Sequence, residues 1–193
     1  PLEKTAKTKH DPALPTVAIL STGGTIASKI DYKTGGVSAD LTADDFVSML
    51  PELGLIANLK THKVMNMMSE DALPNDWQTI ASAVLDVIND VDGVVITHGT
   101  DTMHYTSAAL SFLLQNLNKP VIVTGAQRSI DRGSSDAFMN LLCAVSAAAK
   151  WKGAEVAICM HANMNDDYCH LLRGTKSRKM HCSIYFVRFE KFF

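Results

Sequence analysis

Short runs that are apolar throughout alternate with longer stretches whose apolar residues recur every three or four positions. The runs "TVAIL" (16–20), "KVMNMM" (63–68), "GVVIT" (93–97), "PVIVTG" (120–125) and "AEVAICM" (154–160) read as strands. Between them the period changes. "LTADDFVSML" (41–50) starts a helix at Thr42, with Asp45 three residues on as a capping-box-like partner. Pro74 opens another, where its missing N–H is harmless. In that helix Trp77, Ile80, Ala81, Val84, Leu85 and Ile88 form one apolar face. A third helix follows "GVVIT" through about Asn116, and a fourth, rich in Ala, Leu and Met, covers 135–150 from Ser135 and Asp136. Strands without a polar side need cover on both faces, and helices between them supply it. The pattern predicts an α/β domain with a parallel sheet. Residues 1–15 have no periodicity and three prolines, and read as a linker or exposed arm.

The polar residues collect where these runs stop. "STGGT" follows the first strand, "SED" (69–71) the second, "HGTDT" (98–102) the third and "TGAQRS" (124–129) the fourth. In a parallel sheet these turns converge on one edge, beyond the carboxyl ends where α/β folds bind ligands. Glycine lets the backbone turn sharply and approach a ligand, and threonine hydroxyls beside it can face the same space. Each cluster alone equally suits a tight turn with a helix N-cap; four on one edge favour a site. Neither GxxxxGK[ST] nor GxGxxG is present, which gives little support to a nucleotide site. A hydroxyl is a poor nucleophile until a base removes its proton. Thr100 and Asp101 are followed by His104 and Tyr105, and the lysines able to serve as base late in the chain are Lys176 and Lys179 in "RGTKSRKMH". The sequence does not choose between them.

Composition narrows the class. The chain has 193 residues, 47% hydrophobic and 20% charged, with net charge −2: one globular domain with no electrostatic reason to bind nucleic acid non-specifically. No apolar run approaches the ~20 residues that cross a bilayer. Four cysteines without a CxxC pair indicate a reduced, cytoplasmic setting. The first residue is Pro1, which suggests a processed product or a piece of something longer. His161, Asp166, Asp167, Cys169, His170, His181 and Cys182 gather late in the chain, but without standard zinc spacing, so no metal is expected. Met65, Met67, Met68, Trp77 and Trp151 read as packing, and Arg128, Asp131 and Arg132 as an ion-paired loop.

"ILSTGGTIA" (19–27) and "GVVITHGTDTM" (93–103) resemble both signature motifs of the asparaginase family of amidohydrolases. "SKIDYKTGGV", "HGTDTMHYTSAALSFLL", "GAQRSIDRGSSDAFMNL" and "DDYCHLLRGTKSRKMH" look closer still to the D subunit of archaeal glutamyl-tRNA(Gln) amidotransferases. The resemblance covers about 16–181 and implies a parallel, flavodoxin/Rossmann-like three-layer α/β domain, the N-terminal asparaginase domain. It implies release of ammonia from the side-chain amide of glutamine or asparagine through an acyl-threonine. No cofactor is implied, ATP acting only through a partner subunit. That partner would be the E subunit of the amidotransferase and, through it, tRNA(Gln), with a homodimer or larger homo-oligomer. Carried over by position, Thr25 is the nucleophile and Tyr32 assists it. Thr100, Asp101 and Lys176 form a second Thr-Asp-Lys set. Asp101 and Ser69 hold the substrate's α-amino and α-carboxylate groups, with Glu70 and Gly99 beside them. Residues 182–193, "CSIYFVRFEKFF" from Cys182, read as an atypical tail where the resemblance implies a second, smaller domain, which is expected to be missing. A free-standing L-asparaginase and an inactive truncated fragment are the alternatives.

Overall fold

The structure, a computed structural model, describes residues 10–24, 26, 29–30, 37–38, 43–128, 133–163, 165–179 and 191–192. Its sheet is built from β1 (Thr16–Gly23), β4 (Asn58–Met67), β5 (Gly93–Thr97), β6 (Val121–Thr124), β7 (Val156–His161), β8 (Cys169–Arg173) and β9 (Lys191–Phe192), in the order β4-β1-β5-β6-β7-β8-β9. The first five in that order pair in parallel; β8 and β9 run antiparallel at one end. A separate two-stranded ribbon joins β2 (Lys29–Ile30) to β3 (Val37–Ser38). Counting only the parallel strands in chain order, the arrangement is 2-1-3-4-5, the flavodoxin-like winding, which puts the topological switch point between β1 and β5.

Alternate residues of each central strand enter two cores. Val17, Ile19, Val95, Ile122 and Ala157 face a cluster with α1 (Ala43–Met49), α2 (Leu53–Ile56) and α5 (Ala137–Lys150). Ala18, Leu20, Val94, Ile96, Val123 and Ile158 face one with α3 (Pro74–Val87) and α4 (Met103–Leu113). Three layers result, and two-sided burial explains why those strands read as unbroken apolar runs. In α3 the Asp76 carboxylate accepts the Leu73 N–H at 2.8 Å, so the side chain at the third helical position reaches back over the start. Ile80, Ala81, Val84 and Ile88 of the expected apolar face are buried, whereas Leu85, at the stripe's margin, is 54% exposed.

Two of the differences from the pattern have a clear physical reason. β4 begins at Asn58 rather than 63, because it is the edge strand: paired only with β1, it tolerates the polar "NLKTHK" segment. β8 has no counterpart among the apolar runs; "CHLLR" is too short and mixed to signal a strand without knowledge of its antiparallel partner β7. Of the first fifteen residues, 10–15 are described, and the Asn58 amide ties them down by donating to Asp11 O at 2.7 Å and Leu14 O at 3.0 Å. Residues 1–9 and most of the atypical tail lie outside the described residues. Among the described residues no helix is long and apolar enough to cross a membrane.

Candidate functional site

At the switch point the connections leaving β1 and β5 pass to opposite faces of the sheet, which opens a crevice between them at its carboxyl edge. Thr22 Oγ1 donates to Thr97 O at 2.8 Å, tying the ends of the two strands. Gly24 has φ +81°, where a side chain would be strained, and a Cβ there would lie 2.8 Å from the Gly99 nitrogen. A Cβ on Gly99 would in turn lie 2.5 Å from Ser69 Oγ. Glycine at both positions therefore allows three turns to meet in close contact: "STGGT", "SED" and "HGTDT". Thr102 Oγ1 donates to Ser69 O at 2.5 Å and closes the group.

His98 sets the tilt of the β5 turn. Its Nδ1 lies 2.7 Å from Gly99 O, and since a carbonyl only accepts, Nδ1 carries the proton. Nε2 then accepts from Thr106 Oγ1 at 3.0 Å, while Thr106 Oγ1 accepts from Trp77 Nε1 at 3.1 Å. With His98 neutral, every group in this chain has one consistent role. Burial pushes its pKa down, outweighing the hydrogen bond to Gly99, and keeps it so.

Beyond Gly99 the turn opens outward. Thr100 is half-buried and Asp101 exposed. Asp101 Oδ1 is met by Lys179 Nζ at 2.7 Å, with the two side chains 52% and 45% exposed. Lys176 ends a 3-10 turn (Gly174–Lys176) and is exposed. The lysine that meets Asp101 is Lys179: the chain leaves the 3-10 turn extended, and three more residues carry it back to the β5 turn. His104, on the first turn of α4, has its pKa lowered by burial and then by the charge of Lys179.

Ser69 is buried at 4% exposure and Glu70 is exposed, both in the 3-10 turn Ser69–Asp71 beside Gly99. Thr25 and Tyr32 lie outside the described residues. The Ser21 and Thr97 hydroxyls, register neighbours on β1 and β5, are buried with no hydrogen-bond partner among the described residues. Of the residues weighed for zinc, His161 and Asp166 pair with each other at 2.7 Å and Cys169 is buried against Asn140, while His181 and Cys182 lie outside the described residues. No group of three or more His, Cys, Asp or Glu able to hold a metal occurs among the described residues. A groove of about 360 Å³ between β4 and α3, lined by His62, Lys63, Thr79, Ser82 and Asp86, includes none of the motif turns.

Trp77, Thr106 and Lys179 take part in this region although the motifs assign a site role to none of them. A polar Thr106 facing a tryptophan, four residues before Leu110 on an otherwise apolar face, is the available signal for the first two. For Lys179 the signal is its equal claim with Lys176.

Comparison with known proteins agrees with the topology. A family model described as "Asparaginase, N-terminal" matches residues 16–189. The D subunit of glutamyl-tRNA(Gln) amidotransferase from Methanothermobacter thermautotrophicus is 57% identical over 175 residues, 90% of this chain and 40% of that protein. The protein of the same name in Thermococcus kodakarensis is 56% identical, covering 88% of this chain and 39% of its own length. The chain therefore spans about two fifths of these relatives. Among solved structures, L-asparaginase I of Vibrio cholerae superposes with TM-score 0.73 at 38% identity, over 88% of this chain and 49% of that one. The thermostable L-asparaginase of Thermococcus kodakarensis gives 0.71 at 34%, over 91% and 52%.

Proposed function

The chain belongs to the asparaginase family, and we propose that it carries the chemical site of an amidohydrolase that releases ammonia from the side-chain amide of glutamine or asparagine. The observation that carries the reading is the Lys179–Asp101 pair, 2.7 Å apart, at the rim of the crevice where Gly24 packs on Gly99. Thr25 directly follows Gly24 in the chain, and Thr100 directly follows Gly99.

The Thr25 hydroxyl oxygen adds to the amide carbon and gives up its proton, which passes to the departing nitrogen as the carbon–nitrogen bond breaks, so that ammonia leaves an acyl-threonine ester. Water then adds to that ester, freeing the acid and restoring the hydroxyl. Lys179 is the base, acting on Thr100 beside it in the Asp101 pair. Substrate entering the crevice excludes water, and desolvation favours the neutral amine that takes the proton. A positioned base contributes about 10²–10⁴ in rate. Asp101 and Ser69 hold the substrate's α-amino and α-carboxylate groups. Gly99 gives the close backbone approach, Glu70 borders it, and Tyr32 assists Thr25. No metal or cofactor enters these steps.

Identity of 56–57% with proteins named as amidotransferase subunits, against 34–38% with L-asparaginases, favours the tRNA-dependent setting. There the ammonia passes to a partner subunit that uses ATP on Glu-tRNA(Gln), in the cytoplasm, where the buried free thiols Cys143, Cys159 and Cys169 stay reduced. The test is ammonia release from glutamine and from asparagine, with and without the partner subunit and tRNA. Thr25→Val and Thr100→Val are each expected to lose at least about a hundredfold in kcat. Full activity in either variant removes that threonine from the mechanism. Strong asparagine turnover without a partner selects the free-standing asparaginase instead.

A further inference from the structure

A set of buried polar side chains outside the amide site lies under the turn after β6. Asp136 precedes α5 and Asn140 sits on its first turn, four residues on, and both are fully buried. The Asp136 carboxylate accepts the N–H of Gln127 at 3.0 Å, the N–H of Arg128 at 2.8 Å and an amide hydrogen of Asn140 at 2.8 Å. The same Asn140 nitrogen donates to Gly125 O at 3.0 Å. Two side chains thus grip the main chain at three of the four residues 125–128. Arg128 bridges Asp136 and Asp166, and His161 sits between the same two carboxylates, 2.7 Å from Asp166 and 3.8 Å from Asp136.

The upper side of this turn touches the amide site. A Cβ on Gly125 would lie 2.4 Å from His98 O and 3.3 Å from Thr100 Cγ2. His98 N also donates to Thr124 O at 2.8 Å. The β5 turn therefore rests on the β6 turn, with no room for one extra carbon between them.

We propose that Asp136, acting with Asn140, is a positioning residue for Thr100: by clamping Gly125, Gln127 and Arg128 it fixes the floor on which the turn 98–100 lies. This rests on the amidohydrolase reading, since it matters to catalysis only if Thr100 does. A helix cap that merely stabilised α5 would need no contact with the β5 turn. Here the contact runs through backbone atoms of both turns, so a displacement at 125–128 is passed to Thr100.

The test measures ammonia release by the full chain carrying Asp136→Asn, Gly125→Ala or Thr100→Val. Asp136→Asn is expected to lower kcat by about 10–100-fold with KM changed less than about threefold, because reacting groups are misplaced while substrate binding is kept. Gly125→Ala leaves the carboxylate untouched and pushes on His98 and Thr100 directly; it is expected to give the same split. If Asp136→Asn does not fold, Gly125→Ala decides by the same criterion. Both variants folded with kcat within about twofold of the parent, or a rise in KM alone, overturns the positioning role. Thr100→Val separates the two readings. If it loses activity while the other two keep theirs, only the positioning role falls; if it keeps activity, the assignment of Thr100 falls and takes this proposal with it.

Discussion

The turns after β5 and β6 leave neighbouring strands with similar mixtures of glycine, hydroxyl and charged residues, yet their carboxylates end in opposite surroundings. Asp101 is 52% exposed and meets a lysine that is 45% exposed; Asp136 is fully buried beneath Arg128 and His161. Between exposed partners an ion pair contributes about 0–1 kcal/mol, because water and salt screen it and two long side chains must be held still. A buried carboxylate with several charge-assisted hydrogen bonds costs far more to disturb. The exposed pair adds little to folding, which leaves it open to engage a substrate. The buried one is wholly occupied in holding backbone. Similar residue types thus end exposed or buried according to what covers them, and on the proposed reading the exposed pair serves the chemistry while the buried carboxylate serves the scaffold.

The sharpest way to test the exposed half is to separate the two lysines. Lys179→Met is expected to lower kcat for amide hydrolysis by about 10²–10⁴-fold, the range of a lost positioned base. Lys176→Met removes the same charge three residues away, and kcat should stay within about twofold. Steady-state kinetics on the two variants decides it, and a loss confined to Lys176→Met would return the base to that residue.

Stability should show the reverse ranking. Asp136→Asn breaks charge-assisted bonds in a buried site and is expected to cost about 3 kcal/mol. For a chain of this size that lowers the melting temperature by roughly 6–12 °C. Asp101→Asn should cost less than about 1 kcal/mol. Burial pushes the Asp136 pKa up, but the Gln127 and Arg128 N–H groups and the charge of His161 outweigh it, leaving it below the ordinary carboxylate value. A folded-state pKa below the unfolded one gives stability that is full above about pH 4 and is lost as pH falls through the folded value. The difference between parent and Asp136→Asn should therefore narrow on acidification below about pH 4. Thermal melts that rank the two variants equally at pH 7 would show that burial does not separate the turns.

Much of the fold was legible because the central strands are buried on two sides. "TVAIL", "GVVIT" and "PVIVTG" carry no charged position, and β1, β5 and β6 sit where those runs are. Edges were not legible: β4 needs only one covered side and hides its first half among lysines, and β8 depends on an antiparallel partner. The four polar turns were found from the strand ends, and the contact of Gly24 with Gly99 and of Gly99 with Ser69 joins three of them. The clamp was hidden because Asp136 looks like an ordinary helix start. An Asp at the start of a mostly apolar helix, with an Asn four residues on, was the overlooked sign. Which of Lys176 and Lys179 meets Asp101 was not legible either: spacing along the chain carries no information about how a 3-10 turn and an extended exit redirect it.

The smallest effect probes the same lysine without catalysis. His98 and His104 stand on the same stretch of chain, and burial lowers both pKa values, but only His104 also feels Lys179. In Lys179→Met the repulsion on protonated His104 disappears while its burial remains, so its titration should move up part of the way toward an ordinary imidazole. His98 should stay where it is, neutral with the proton on Nδ1, because its partners are Gly99 and Thr106. Lys176→Met should move neither. Nitrogen chemical shifts of the two rings against pH read both the titration and the tautomer. An unmoved His104 in Lys179→Met would mean that the lysine spends its time away from the β5 turn, and the exposed pair would then have no part in setting up Thr100.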